Sequence, residues 1–144
     1  MLTKILTVIF AFIVSLFCSI YNFFYTIPDV AAIKSCTGIK ISSSQIEFYE
    51  DEHGSFHGDG EMLIIFSPTE NQIDFIKNNW KKTPIKDSIA PLIFSKSEYN
   101  SLKDLIPDVK GFWIFEDRGN SAFSYNFSFA FFDGENVYYY ELDT

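Results

Sequence analysis

The sequence predicts an α+β domain behind an N-terminal transmembrane helix: one mainly antiparallel sheet of about five strands, with one or two helices packed on one face. Three observations lead there: an uncharged apolar run near the start, period-two alternation in the middle and last third, and helix-start signals between them. At 144 residues the chain holds a single modest domain. Its 47% hydrophobic and 19% aromatic residues supply enough apolar surface to offset ordering entropy, which excludes a disordered tail. With 11 Lys plus Arg against 19 Asp plus Glu, and a formal charge of -8, it is repelled by phosphate backbones, so nucleic acid is not an expected partner.

The first element is the apolar run. From Ile5 to Pro28 about 24 residues carry no charge, and a helix needs ~20 to cross a hydrocarbon core. The amino terminus and Lys4 precede the run and Asp29 is the first charge after it, so the positive-inside bias keeps the N-terminus cytoplasmic and exports the rest. Residues 1–28 are thus expected to be a single-pass membrane anchor. Tyr21, Phe23, Phe24 and Tyr25 crowd its outer end, at headgroup level, and Pro28 stops the helix. A cleaved signal peptide is the competing reading, with a small-residue site after Ala32, but the run is longer than an ordinary signal core. Lipidation fails because Cys18 follows Leu16 and Phe17 rather than small residues. A Cys18–Cys36 disulfide is disfavoured because Cys18 lies roughly 10 Å below the end of a helix continuous to Tyr25. Cys36 reads as a small buried residue, with an intermolecular bridge as the lesser alternative.

Residues 29–44 follow as a linker or short helix, and residues 45–144 as the exported domain. Gln45 to Glu50 alternates, with Ile46 and Phe48 on one face and Glu47 and Tyr49 on the other, and Glu61 to Phe66 is a continuous apolar run; both read as strands. Ser67, Pro68 and Glu70 spell a capping box with Pro at the first helical position, opening a helix that runs through Ile73 and Ile76 towards Trp80. A polar, Pro-punctuated stretch from Lys81 to Pro91 comes next, then a short helical pattern from Ser97 to Ile106. Strands return at Gly111–Glu116, Phe123–Phe132 and Val137–Leu142. Phe123, Tyr125, Phe127, Phe129 and Phe131 share one buried sheet face, and Asp133, Gly134, Glu135 and Asn136 turn the last two strands into a hairpin.

Chemistry concentrates in one connection. Both histidines, His53 and His57, fall in the glycine-rich stretch DEHGSFHGDG with Asp51, Glu52 and Asp59. Imidazole with carboxylate is a ligand set for zinc or another divalent ion, so Asp51, His53, His57 and Asp59 are the candidate metal ligands. The blander reading, which the glycines favour, is a loop whose polar groups bond to one another around Phe56. A catalytic histidine lacks an accompanying nucleophile motif. Arg118, the only arginine, is a candidate for holding a ligand carboxylate, and more simply a salt-bridge partner for Asp117 or a neighbouring loop carboxylate. Trp80 and Trp113 read as core anchors. Asn126, Phe127 and Ser128 spell a glycosylation acceptor on a strand that faces the core.

DEHGSFHGDG before a strand, Trp80 with its lysines and Pro84, FEDR at Asp117, and the ending SYNFSFAFFDGENVYYYELDT resemble a family of small bacterial proteins of clostridial-type genomes, marked by HGxFHGDG and YNFxxAxxD stretches. The resemblance covers most of the exported part and implies common descent; it brings no activity, cofactor or partner with it. Members of that family often read DTHGGFHGDG, whereas this chain has Glu52 and Ser55. Function is therefore expected from topology: a non-enzymatic envelope domain binding an unknown protein or small ligand. The alternative is a metal-assisted hydrolase acting on envelope material through the His53/His57 loop.

Overall fold

The computed structural model describes residues 10–17, 30–53, 59–96, 110–119 and 125–144. Six antiparallel strands form one open sheet: β1 (Ile46–Asp51), β2 (Gly60–Phe66), β3 (Lys81–Lys82), β4 (Phe112–Asp117), β5 (Phe127–Phe132) and β6 (Val137–Asp143), in the order β1-β2-β6-β5-β4-β3. Among the described residues it is accompanied by the α-helices α1 (Val30–Thr37), α2 (Glu70–Asn79) and α3 (Ala90–Lys96). The α+β class and antiparallel sheet agree with expectation. The sixth strand, β3, is two residues long, too short to carry a periodic signal, and pairs Lys81 with Trp113.

The helices lie on both faces of the sheet, which corrects the one-face expectation. On one face Ile33 and Cys36 of α1 and Ile76 of α2 pack with Met62, Ile64, Phe66, Ala130, Phe132 and Tyr139. On the other, Ile85 and Ile93 cover Leu63, Trp113, Phe127, Phe129, Phe131 and Tyr140. Every residue of β5 is consequently buried. Phe127, Phe129 and Phe131 do share a face as predicted, Phe123 lying outside the described residues, but Ser128 and Ala130 between them are buried too, and their small side chains let α1 approach β4 and β5 closely. Trp80 and Trp113 are core anchors; Trp80 Nε1 donates to the Thr37 carbonyl at 3.2 Å and ties the end of α2 to the end of α1.

Local chemistry sets the boundaries. Gly38 ends α1 at φ 75°, donating its N–H to the Lys34 carbonyl at 3.0 Å, a left-handed cap that glycine adopts without strain. The short helix allowed for after the anchor is therefore α1, and Ile33, Cys36, Ile39 and Ile41 all belong to the core. The start of α2 falls two residues later than predicted: Thr69 is the N-cap and Gln72 completes the capping box, its Oε1 accepting the Thr69 N–H at 2.7 Å. Ser67 is unavailable as a cap because its hydroxyl contacts Glu47 and the Asn136 side chain. Strict alternation in β1 also fails. A bulge between Ile46 and Phe48 shifts the register, so Ile46 and Tyr49 face the core while Phe48 is 42% exposed. The predicted hairpin joins β5 to β6, with Asp133 Oδ1 accepting the Glu135 and Asn136 N–H groups at 2.8 Å.

Of the apolar leader only residues 10–17 are described; they are helical, with Phe10, Phe12 and Phe17 exposed. Among the described residues no helix is long and apolar enough to cross a membrane. The rest of the anchor, Cys18, His57 and the helix expected from Ser97 to Ile106 lie outside the described residues.

Cys36 is a free thiol, 6% exposed. Burial, reinforced by the charges of Glu116 and Glu141, pushes it from 9.0 up to about 12. The folded state thus holds its proton where the unfolded chain releases it. This contribution is fully present below about pH 9 and is lost as pH rises towards 12. Denaturant titrations between those limits are expected to show wild type losing stability more steeply than Cys36→Ala.

Candidate functional site

The antiparallel topology brings the end of β1, the start of β2, the end of β4, the start of β5 and the end of β6 to one end of the sheet. Polar residues gather there. Gly60 makes the arrangement possible: a Cβ at that position falls 2.4 Å from His53 Cα and 2.6 Å from the Glu52 carbonyl oxygen, both backbone atoms. Only glycine lets the chain leaving β1 pass so near the chain entering β2. Gly60→Ala is expected to cost about 1–3 kcal/mol and to displace His53, seen as a lower denaturation midpoint and shifted His53 ring resonances.

Asp51 and His53 form a close pair. Asp51 Oδ1 accepts the His53 backbone N–H at 3.0 Å and lies 2.6 Å from His53 Nδ1, while Asp51 Oδ2 accepts the Tyr49 hydroxyl at 3.1 Å. Burial raises the Asp51 carboxyl, but the hydrogen bonds from His53 and Tyr49 outweigh it and hold the carboxyl below its ordinary value. A carboxylate facing Nδ1 fixes the ring: Nδ1 carries the proton, and in the neutral imidazole Nε2 presents a lone pair. Nε2 is shielded from water, has no hydrogen-bond partner among the described residues, and lies 3.6 Å from Asp143 Oδ2.

Across this end of the sheet Arg118 forks between two carboxylates of β6. Its Nη1 donates to Glu141 Oε1 at 2.7 Å and its Nη2 to Asp143 Oδ1 at 2.8 Å. Arg118 is therefore a salt-bridge residue, but with strand partners rather than Asp117, whose Oδ1 accepts the Gly119 N–H instead. Glu141 is 7% exposed and also accepts the Tyr139 hydroxyl through Oε2 at 2.6 Å. Burial, then that hydrogen bond, raises the Tyr139 phenol above its ordinary value. On the opposite face Tyr140 donates to Glu61 Oε2 at 2.8 Å.

An open cleft of about 420 Å³ adjoins this cluster, lined by Glu52, Asp59, Gly60, Glu61, Leu142, Asp143 and Thr144. Of the sequence-derived candidates, Asp51 and His53 are in contact, Asp59 lines the cleft, and Arg118 clamps β6. Glu141 and Asp143 were not singled out from the sequence, yet Val137, Tyr139 and Glu141 share a face of β6, and a carboxylate in line with two core residues was a legible signal. His53, Glu141 and Asp143 each bring a ligand atom within 4.8 Å of the others. Comparison of the chain with known protein families, with curated proteins and with solved structures gives no match.

Proposed function

We propose that the chain is a single-pass membrane protein holding an acidic α+β domain outside the cytoplasm, where the open end of the sheet binds a positively charged ligand. One observation carries the binding reading: four carboxylates, Glu52, Asp59, Glu61 and Asp143, border a single cleft. Their summed field, within a chain of charge -8, concentrates cations and repels anions there. The anchor reading is supported by the uncharged run from Ile5 to Pro28 and by the uncovered apolar side chains of residues 10–17. Val30 and Ala32 pack on the core, so cleavage after Ala32 would cut α1 within its first turn.

The test is a titration of the full-length chain in detergent with spermine and with tetralysine. Saturable binding that weakens with salt, and weakens several-fold further in Glu52→Gln/Asp59→Asn, is expected. No saturable binding, or equal binding by the double variant, would contradict the reading.

A further inference from the structure

We infer that His53, Glu141 and Asp143 form a site for a divalent transition-metal ion, with Asp51 as the residue that orients the imidazole. The inference goes beyond the cleft, since it concerns a different donor set that shares only Asp143 with it.

The geometry already has the form of a ligated histidine. Asp51 holds His53 Nδ1 at 2.6 Å, and a carboxylate on the far nitrogen is the usual outer partner of a metal-bound imidazole. Nε2, shielded from water, is then aimed at Asp143 Oδ2, 3.6 Å away. In the neutral imidazole these are two acceptors facing each other, which repel unless a cation, a metal ion or a proton on Nε2, lies between them, and the separation exceeds a hydrogen bond. It is close to the edge of a tetrahedron with metal bonds of ~2.1 Å, which is about 3.4 Å.

The remaining donors are free in the right sense. Arg118 occupies Glu141 Oε1 and Asp143 Oδ1. Asp143 Oδ2 is left 3.6 Å from His53 Nε2, and Glu141 brings a carboxylate oxygen within 4.8 Å of both, with Oε2 keeping a lone pair beyond the one that takes the Tyr139 proton. Charge points the same way: the carboxylates of Asp51, Glu141 and Asp143 less the Arg118 guanidinium leave two negative charges, which a divalent ion balances. One imidazole with two carboxylates selects zinc-like ions over magnesium or calcium, which prefer oxygen alone. Three protein donors also leave a coordination position for water or a ligand.

The experiment titrates the full-length chain in detergent with Zn²⁺ by calorimetry, with Mg²⁺ in excess throughout. One equivalent is expected to bind. Asp51→Asn is expected to weaken it about 10- to 100-fold, and His53→Ala and Asp143→Asn at least as much, while Glu52→Gln/Asp59→Asn, which removes nearby charge but none of the three ligands, weakens it by less than any of these. Circular dichroism identifies any variant that fails to fold. The wild-type chain supplies a readout free of that problem: in ¹⁵N spectra of the imidazoles, Zn²⁺ is expected to shift Nε2 of His53. No saturable Zn²⁺ binding, a shift confined to His57, or full affinity in folded His53→Ala would overturn the inference. Loss of polyamine binding with zinc binding intact would instead count against the cleft alone.

Discussion

Replacing Glu141 by alanine is expected to destabilise the domain by about 3 kcal/mol, the lower end of the cost of breaking a buried ion pair. The lower end applies because Arg118, 29% exposed, keeps water on one side and keeps Asp143 as a partner. Two groups lose an acceptor together: the partly exposed Arg118 Nη1 donor and the buried Tyr139 hydroxyl, the latter keeping Ser128 Oγ at 3.3 Å among the described residues. Glu141→Gln retains an acceptor for both and should cost clearly less. Asp143→Ala, which removes the more exposed arm of the fork, should cost about 1 kcal/mol or less. Urea denaturation midpoints of the three variants are expected in that order, with Glu141→Ala lowest.

Phe129→Ala is expected to cost more, about 3–5 kcal/mol, through lost transfer energy and the cavity left behind. Phe129 is 0% exposed at the middle of β5, between Phe115 on β4 and Tyr140 on β6 in the strand register. Sheet on one side and the segment carrying Ile85 and Ile93 on the other leave little freedom to collapse into the gap. A domain of this size has about 5–15 kcal/mol of stability in all, so the variant is expected to be largely melted at temperatures where wild type is intact. Phe48→Ala is the control: Phe48 is 42% exposed beyond the bulge, and its loss should change stability by about 0.5 kcal/mol at most. Equal effects from the two phenylalanines would mean that the bulge is absent and β1 alternates after all.

That bulge shows where sequence reading stops. Period two in Gln45 to Glu50 places Phe48 inward only if every residue takes one step of the ladder, and a single extra residue at Glu47 reverses the faces beyond it. Strongly apolar segments are legible: β2 follows from its continuous apolar run, β5 from its alternating phenylalanines, and the β5–β6 hairpin from turn chemistry at Asp133. Ser67 looked like a cap because its partners Glu47 and Asn136, distant in sequence, leave no local trace. Placement of helices on both faces was hidden for a related reason. Ser128 and Ala130 are too small to mark a buried face in the sequence, and their smallness is what admits α1. The site was half legible. Asp51 and His53 stand two residues apart and announce themselves, but the approach of His53 to Glu141 and Asp143 depends on strand order, which composition does not encode.

The most direct measurement is the sidedness of the full-length chain in intact spheroplasts, combined with alkaline carbonate extraction of the membranes. An acidic domain tethered outside the cytoplasm stays with the membrane after the carbonate wash and is digested by protease added from outside. A chain released without detergent, or one that external protease leaves whole until the membrane is lysed, would contradict both the anchor and the exported binding role.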